Sequence, residues 1–239
     1  MTILVTGSNR GLGLELVREG LKRGHSIIAT FRTMSQDLEI LKEEYGNNLD
    51  LQVMDVADYA SVKDAFGILA AKYDAIDCII NNAAVLYETK QFKGDPIVDL
   101  DLEAFYRTVQ VNTFGPIHVL KKFMPLLYNG HDRCIVNITT EGVRMKSEGS
   151  HYIAYACSKS ALNMYSQKIR NYLQSHEDTK NIRLFMIHPG RMFTVMGVEN
   201  AQIQPNEPAI GIWDIVENKI EIKLDLPFIN YKGEAMPYI

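Results

Sequence analysis

The chain has 239 residues, of which 46% are hydrophobic and 23% are charged, and its formal net charge at pH 7 is −4. This composition is typical of a soluble globular protein that can bury a sizeable core, and it gives no overall attraction to nucleic acid or to an anionic membrane. We therefore expect neither a nucleic-acid partner nor a membrane partner. An apolar strand begins at residue 2 with no basic segment before it, which predicts that there is no signal peptide and that the protein is cytoplasmic.

Short apolar runs with strand character alternate with longer amphipathic runs along the chain. The strands are predicted at 2–6, 26–30, 50–56, 75–84, 132–139, 181–190 and 227–231. The helices are predicted at 11–23, 38–46, 61–73, 101–114, 115–128, 152–175 and 207–221. Because the strands are apolar nearly throughout, both of their faces should be buried. Their alternation with helices predicts an α/β fold, a doubly wound parallel sheet with helices on both faces, formed by a single domain over 1–239.

The cysteines and histidines give no sign of a metal site. Cys78, Cys134 and Cys157 show no CxxC spacing, and the six histidines show no HxxxH or HExxH pairing. We interpret the cysteines as reduced, partly buried thiols and expect no structural metal.

A glycine-rich turn, "TGSNRGLG" (Thr6 to Gly13), joins the first strand to the first helix. Gly7 allows a tight turn, Gly11 allows phosphates to approach the backbone, and Gly13 allows the helix to pack closely on the sheet. The free N–H groups and partial positive charge of the helix N-terminus favour a pyrophosphate. The spacing is GxxxGxG, and its position between a strand and a helix predicts a dinucleotide site.

The residues after the second strand bear on cofactor preference. A carboxylate there would bind the ribose hydroxyls of NAD and repel a 2′-phosphate. The sequence instead has Arg32, with no acid until Asp37, and Arg10 adds a second guanidinium from the glycine-rich turn. Two arginines suit a phosphate monoester, so NADPH/NADP⁺ is the predicted cofactor, although both could be solvated surface residues.

Polar residues follow the other strands, and each has an alternative structural role. Asp55 could accept a hydrogen bond from an adenine amino group or could cap a helix. Asn81 and Asn82 in "NNAA" lie beside the expected groove or form a turn. Further along, the hydroxyls of Thr139 and Thr140, and of Thr194 after the Pro189–Gly190 turn, could contact ligands or could serve as caps. Thr194 could hydrogen-bond a carboxamide.

Tyr155 and Lys159 in "YACSK" are four residues apart, so both side chains leave a helix on the same side. An ammonium beside a phenol favours the phenolate and lowers the tyrosine pKa. Such a pair could exchange a proton with a carbonyl or an alcohol, whereas a lone Y-x-x-x-K could equally be an ordinary helix turn.

Six motifs in order, "TGSNRGLG", "NNAA", "VN" at 111–112, "NITT", "YACSK" and "PGRMFT", resemble those of the short-chain dehydrogenase/reductase family. The tail, with "NEPAIGIWDIVE" and "FINYKGEAMPY", resembles the sniffer-type carbonyl reductase and C-factor branch. The resemblance implies a Rossmann-type NAD(P)-binding domain. It makes Tyr155 the general acid/base, Lys159 its activator and a ribose ligand, Asn112 the organiser of a relay water through its helix backbone, and Thr140 the replacement for the family's serine.

The motifs and the resemblance together give a set of residues expected at the cofactor. These are Gly7, Asn9, Arg10, Gly11, Leu12, Gly13, Arg32, Asp55, Val56, Asn82, Ala83, Ala84, Tyr155, Lys159, Pro189, Gly190 and Thr194.

Two functions follow from the resemblance. The first is an NADPH-dependent oxidoreductase that reduces a small ketone or aldehyde to an alcohol. The alternative is a dinucleotide-binding regulatory or signalling protein that retains the fold. Thr140 in place of serine and Ala84 in place of the usual glycine keep the alternative open, whereas Tyr155, Lys159 and Asn112 together favour the enzyme.

Two further expectations concern the substrate cover and assembly. The segment 191–208 should form a lid, with Met192, Phe193, Val195 and Met196 suggesting an apolar pocket. In the family the helices at about 101–128 and 152–175 commonly form a four-helix interface, so we expect a homodimer or homotetramer. The apolar spacing in "FGPIHVLKKFMPLLY" permits an exposed stripe, although burial within the monomer would explain the same pattern.

Overall fold

A computed structural model of the protein describes residues 1–88, 94–146, 151–197 and 201–238. Its sheet has seven strands, all parallel to their neighbours, in the order β3-β2-β1-β4-β5-β6-β7. The strands are β1 Thr2–Thr6, β2 Ser26–Phe31, β3 Leu49–Val53, β4 Cys78–Asn81, β5 Cys134–Ile138, β6 Arg183–His188 and β7 Phe228–Asn230. The predicted doubly wound parallel sheet is confirmed.

The helices lie on both faces of the sheet, as predicted. They are α1 Gly11–Lys22, α2 Gln36–Tyr45, α3 Tyr59–Ala70, α4 Leu102–Val109, α5 Gly115–Tyr128, α6 Ile153–Gln174 and α7 Asn206–Val216, with a π-helical turn, Gln110–Phe114, between α4 and α5. One core cluster joins α1, α2 and α7 to the sheet, and the other joins α3, α5 and α6 to its opposite face. Within the described residues, none of the helices is long and apolar enough to cross a membrane.

Most of the predicted element ends differ from the observed ones by a few residues, and three of these differences have an identifiable cause. The fourth strand, predicted at 75–84, spans Cys78–Asn81, and it ends there because the backbone N–H of Asn82 donates to the side-chain hydroxyl of Thr6 instead of to a backbone carbonyl of a neighbouring strand. Helix α3 begins before 61 because the Asp58 side chain accepts from the Ala60 N–H. Helix α7 ends at Val216 and not at 221, and Asn218 has the left-handed backbone (φ 58°) that stops a helix.

The apolar residues predicted to form a stripe in "FGPIHVLKKFMPLLY" mostly face inward. Val119, Leu120, Phe123, Leu126 and Leu127 are buried in the core. Phe114 and Tyr128, at the two ends of the run, remain exposed. Burial within the monomer therefore explains most of that pattern.

The three cysteines are free thiols. Cys78 and Cys134 are buried opposite each other in β4 and β5, whereas Cys157 is exposed.

Candidate active site

A groove opens at the carboxyl ends of β1 and β4, where the strand order reverses. In doubly wound sheets this is the position at which ligands bind. Every residue that the sequence predicted for the cofactor lines the groove, except Gly190. Gly190 (φ 87°) instead lines an adjacent cleft, where Thr140 also lies.

The glycine-rich turn is packed too tightly for side chains at two of its glycines. A Cβ atom on Gly13 would lie 2.1 Å from the Gly7 carbonyl oxygen, and one on Gly7, whose φ is 67°, would lie 2.8 Å from Ala83 Cα. The N-cap of α1, Arg10, provides no side-chain cap, and the first turn contains no acidic residue. The helix N–H groups are therefore available to an anion such as a pyrophosphate, so the turn fits a dinucleotide.

Two side chains that end strands hold this turn in place. The Thr6 hydroxyl accepts hydrogen bonds from the N–H groups of Asn82 and Ala83, both at 3.0 Å. The Asn82 amide donates to the carbonyls of Thr6 (2.9 Å) and Gly7 (3.2 Å). The side-chain nitrogen of Asn82 thus joins the end of β4 to the glycine-rich turn. Thr6 was missed as a functional residue, since only its place at a strand end distinguishes it in the sequence.

Arg10 and Arg32 are exposed, and both line the groove. Neither forms an ion pair with any described residue. Asp37, the first acid after β2, lies 3.7 Å from Arg18. Two arginines without a partner among the described residues thus line the groove, and their contact with a 2′-phosphate stays a prediction.

Asp55 also lines the groove, but one of its oxygens is already used. Its Oδ1 accepts from the Ala57 N–H at 2.9 Å, which fixes the turn after β3. Helix α3 is capped by Asp58 and not by Asp55, so the capping alternative for Asp55 is wrong.

Tyr155 and Lys159 lie one turn apart on α6 and line the groove together. The Lys159 Nζ donates to the Ile138 carbonyl at 2.8 Å and lies 6.0 Å from the centroid of the Tyr155 ring. Burial lowers the pKa of Lys159 to about 7 and raises the pKa of Tyr155 to about 12. Burial is the cause of both shifts, so the lowering of the Tyr155 pKa by Lys159 stays a prediction.

Asn112 is fully buried in the π-helical turn and does not line the groove. Its Oδ1 accepts from the Val85 N–H at 2.8 Å, and its Nδ2 donates to the Val85 carbonyl at 2.9 Å and to the Ser158 hydroxyl at 3.1 Å. Ser158 in turn donates to the Tyr155 carbonyl. The side chain therefore fixes the loop after β4 against α6, while a role for its backbone in a water relay stays a prediction.

The adjacent cleft has a volume of about 850 Å³, within the range of small-molecule sites. Tyr155, Thr139 and Pro189 line both this cleft and the groove. The Thr140 hydroxyl lines the cleft and accepts from the Gly142 N–H at 3.2 Å, which leaves its own proton free to donate. The Thr139 hydroxyl is buried and has no hydrogen-bond partner among the described residues. A substrate in this cleft would contact Tyr155 next to the groove.

Glu88, which sequence reasoning missed, caps the helix that carries Tyr155. Its two carboxylate oxygens accept from the N–H groups of Ala154 (3.0 Å) and Tyr155 (2.9 Å). The N-cap residue of α6, Tyr152, has a left-handed backbone and provides no capping hydrogen bond from its own side chain. The absence of a Ser, Thr, Asp or Asn at the predicted start of this helix was the one signal that another segment must cap it.

The lid is predicted at 191–208, and the structure describes this segment except for residues 198–200. Met192, Val195 and Met196 line the groove, and Met192 pairs with Ile203 in an isolated bridge. Phe193 does not line the groove but a neighbouring depression near Gly11, which Val195 lines as well. Thr194 lines both groove and cleft, and its methyl group lies near Gly11, so its predicted contact with a carboxamide stays a prediction.

Known proteins resemble this chain over most of its length. The NADP-dependent 3-hydroxy acid dehydrogenase YdfG of Escherichia coli is 26% identical over 190 residues, which cover 80% of this chain and 72% of YdfG. The carbonyl reductase Sniffer of D. melanogaster superposes with a TM-score of 0.85 at 25% identity, covering 99% of each chain. An NADPH-bound carbonyl reductase from chicken fatty liver gives a TM-score of 0.83 at 24% identity, covering 99% of this chain and 98% of its own.

The family model described as short chain dehydrogenase matches residues 1–204. This match covers the glycine-rich turn, the strand ends that form the groove and the Tyr155–Lys159 pair. The resemblance inferred from the motifs is thereby confirmed. The chain belongs to the short-chain dehydrogenase family and is an oxidoreductase that uses a nicotinamide dinucleotide.

Proposed function

We propose that this protein is an NADPH-dependent reductase that converts a ketone or an aldehyde to an alcohol. The observation that carries the proposal is the position of Tyr155, whose side chain lines both the cofactor groove and the adjacent cleft. A proton donor at this junction reaches a carbonyl oxygen held in the cleft next to a nicotinamide in the groove. When bound, NADPH supplies the hydride that the carbonyl carbon receives.

The groove supports NADPH over NADH. Arg10 and Arg32 line it and form no ion pair with any described residue, so both are available to a 2′-phosphate. The YdfG relative is named NADP-dependent, and the chicken carbonyl reductase was solved with NADPH. The glycine-rich turn and the N-terminus of α1 would hold the pyrophosphate, and Lys159 the ribose beside it.

The protonation states favour reduction. Because the pKa of Tyr155 is raised to about 12, the phenol keeps its proton at neutral pH and can donate it to a developing alkoxide. The oxidation of an alcohol would need the phenolate instead. Thr140, with a free hydroxyl proton in the same cleft, donates a second hydrogen bond to the carbonyl oxygen.

The test is the rate of NADPH oxidation with a panel of aldehydes and ketones, measured for the parent and for Tyr155→Phe. The variant should lose roughly 10²–10⁴-fold in kcat, the usual contribution of general acid catalysis, while NADPH affinity by fluorescence stays nearly unchanged. Tyr172→Phe, at an exposed tyrosine of the same helix, is the matched control and should retain activity.

Two results would reject the proposal. Tight NADPH binding with no turnover of any carbonyl compound would favour the regulatory alternative. A Tyr155→Phe protein that works at the parent rate would remove Tyr155 from the chemistry.

A further inference from the structure

The cleft beside Tyr155 is lined by more positive than negative side chains. Among its described lining residues, Arg144, Lys146 and Arg191 are cationic and Glu141 is the one acid, an excess of two positive charges (three minus one). The chain as a whole carries −4. The charge of the cleft thus has the opposite sign to that of the protein.

Glu141 lies between the two arginines and balances only one of them. Its Oε1 accepts from Arg191 Nε at 2.7 Å, and its Oε2 lies 3.7 Å from Arg144 Nη2. Burial opposes ionisation of Glu141, but the hydrogen bond from Arg191 and the nearby charges lower its pKa below the usual value, so it counts as one full negative charge. Burial likewise lowers the pKa of His188, so this residue adds no positive charge at neutral pH.

Arg191 has N–H groups that are available to donate hydrogen bonds to a ligand. It binds Glu141 through Nε, and its terminal amino groups have no acceptor among the described residues. Its side chain is 44% exposed, and that of Arg144 is 36% exposed. A guanidinium held at one edge presents its remaining N–H groups in a planar fork, which matches a carboxylate.

The nearby acid Glu88 does not cancel this excess. Both of its oxygens accept from backbone N–H groups at the start of α6, so its charge is balanced by that helix N-terminus. Glu148 lies in the segment 147–150, outside the described residues.

We infer that the substrate is an oxo acid, whose carboxylate binds Arg191 and Arg144 while its carbonyl oxygen lies at Tyr155. This inference rests on the proposed function and names the substrate class of the same site. Lys146, which is exposed and also lines the cleft, adds long-range attraction for the anion.

A purely structural role for the two arginines makes a different prediction. If they served only to join the turn at 141–143 to the segment after β6, their loss would affect charged and neutral substrates equally. Recognition of a carboxylate affects only the charged one.

The experiment compares matched pairs of substrates, each a 2-oxo, 3-oxo or 4-oxo acid and its methyl ester, with 4-nitrobenzaldehyde as the neutral reference. In the parent, kcat/KM for at least one acid should exceed that of its ester about tenfold or more, as expected for charge-assisted hydrogen bonds. Arg191→Met should lower kcat/KM for that acid about tenfold to a hundredfold and leave the ester and the aldehyde nearly unchanged. Lys223→Met, which removes an exposed cation paired with Glu221 outside the cleft, is the control and should change none of them.

The outcomes separate the two proposals. Esters reduced as well as their acids by the parent, or equal losses for acid and ester in Arg191→Met, would overturn the substrate assignment while leaving the reductase intact. The ratio of kcat/KM for acid and ester in the parent protein tests the substrate assignment even if Arg191→Met fails to fold. Failure with every carbonyl compound, 4-nitrobenzaldehyde included, would overturn the proposed function itself.

Discussion

Lys159 donates a hydrogen bond of 2.8 Å from its ammonium to the Ile138 carbonyl, at the end of the strand beside its helix. The side chain is 1% exposed, and burial lowers its pKa to about 7. A lysine in this state is costly for the fold, because the unfolded chain keeps the same ammonium in water. The protein retains a destabilising group where the dinucleotide would bind.

This cost should appear as a pH dependence of stability. Below pH 7 the lysine is protonated in both states, so the cost of burying the charge is fully present. Between pH 7 and the unfolded pKa near ~10.4, the unfolded chain binds more protons than the folded one, so the free energy of unfolding rises with pH. Lys159→Met should therefore stabilise the nucleotide-free protein more at pH 7 than at pH 9.5. Urea denaturation of both proteins at each pH measures the difference, in which groups common to both cancel, and a constant gap would refute the assignment.

Glu88 is expected to act as a positioning residue for Tyr155. Glu88→Ala removes both capping hydrogen bonds at the start of α6 and should lower the free energy of unfolding by about 1 kcal/mol, the usual value of a cap. It should also lower kcat for carbonyl reduction, since the backbone of Tyr155 loses one of its fixed points, while NADPH affinity stays close to that of the parent.

Asp58→Ala is the control, because the Asp58 side chain also caps a helix, α3, where it accepts from the Ala60 N–H. This variant should lose similar stability and keep kcat. If the two variants had equal kcat, Glu88 would be an ordinary helix cap with no role in positioning Tyr155.

The cofactor preference should depend on Arg32. We expect NADPH to bind at least tenfold more tightly than NADH, about 1.4 kcal/mol, a modest amount for charge-assisted hydrogen bonds. Arg32→Ala should reduce this preference without weakening NADH. Fluorescence titration of both nucleotides measures it, with Arg107→Ala, an exposed arginine outside the groove, as the control. An unchanged preference in Arg32→Ala would show that the 2′-phosphate lies elsewhere.

The fold and the groove could be predicted from sequence because their signals are local. Apolar runs of strand length mark the sheet, and its strand ends meet at one edge, which places Gly7, Arg32 and Thr139 together without any knowledge of contacts. The ends of the helices and strands were less predictable, because they depend on which side chain forms a hydrogen bond with the next backbone N–H or carbonyl group. At the end of β4, for example, the Thr6 hydroxyl accepts from the Asn82 N–H.

The contacts that tune the site could not be predicted from the sequence. Glu88 accepts a hydrogen bond from the Tyr155 N–H although the two residues are 67 positions apart in the sequence, and the residues around each of them give no indication of this contact. The sequence correctly placed Tyr155 and Lys159 on one helical face. It did not show that the Lys159 ammonium donates to a carbonyl in β5, or that burial shifts the pKa values of both residues.

The hydroxyl of Thr140 is expected to bind the substrate carbonyl. Thr140→Ser should keep or raise activity, because the hydroxyl is retained and a methyl group is removed. Thr140→Val should lose kcat/KM on the order of 10²-fold, as when one donor to a developing oxyanion is removed. Since valine also leaves the Gly142 N–H without its acceptor, stability must be measured in parallel. Thr139→Val removes the neighbouring hydroxyl, which has no partner among the described residues, and should be tolerated; a valine tolerated at 140 instead would contradict the role of Thr140.

Self-association remains a prediction that the exposed faces of α4 and α6 support. Tyr106 on α4 is 65% exposed, and on α6 Met164 is 54% and Tyr172 is 52% exposed, although they are large and apolar or aromatic. We expect light scattering at micromolar concentration to give a multiple of the 27.1 kDa chain mass. Tyr106→Glu should shift the mass toward that of one chain, because burying an unpaired carboxylate in an interface is costly. Ile97→Glu, at a residue 84% exposed outside these helices, should leave the mass unchanged. A parent protein that scatters as a single chain would contradict the prediction.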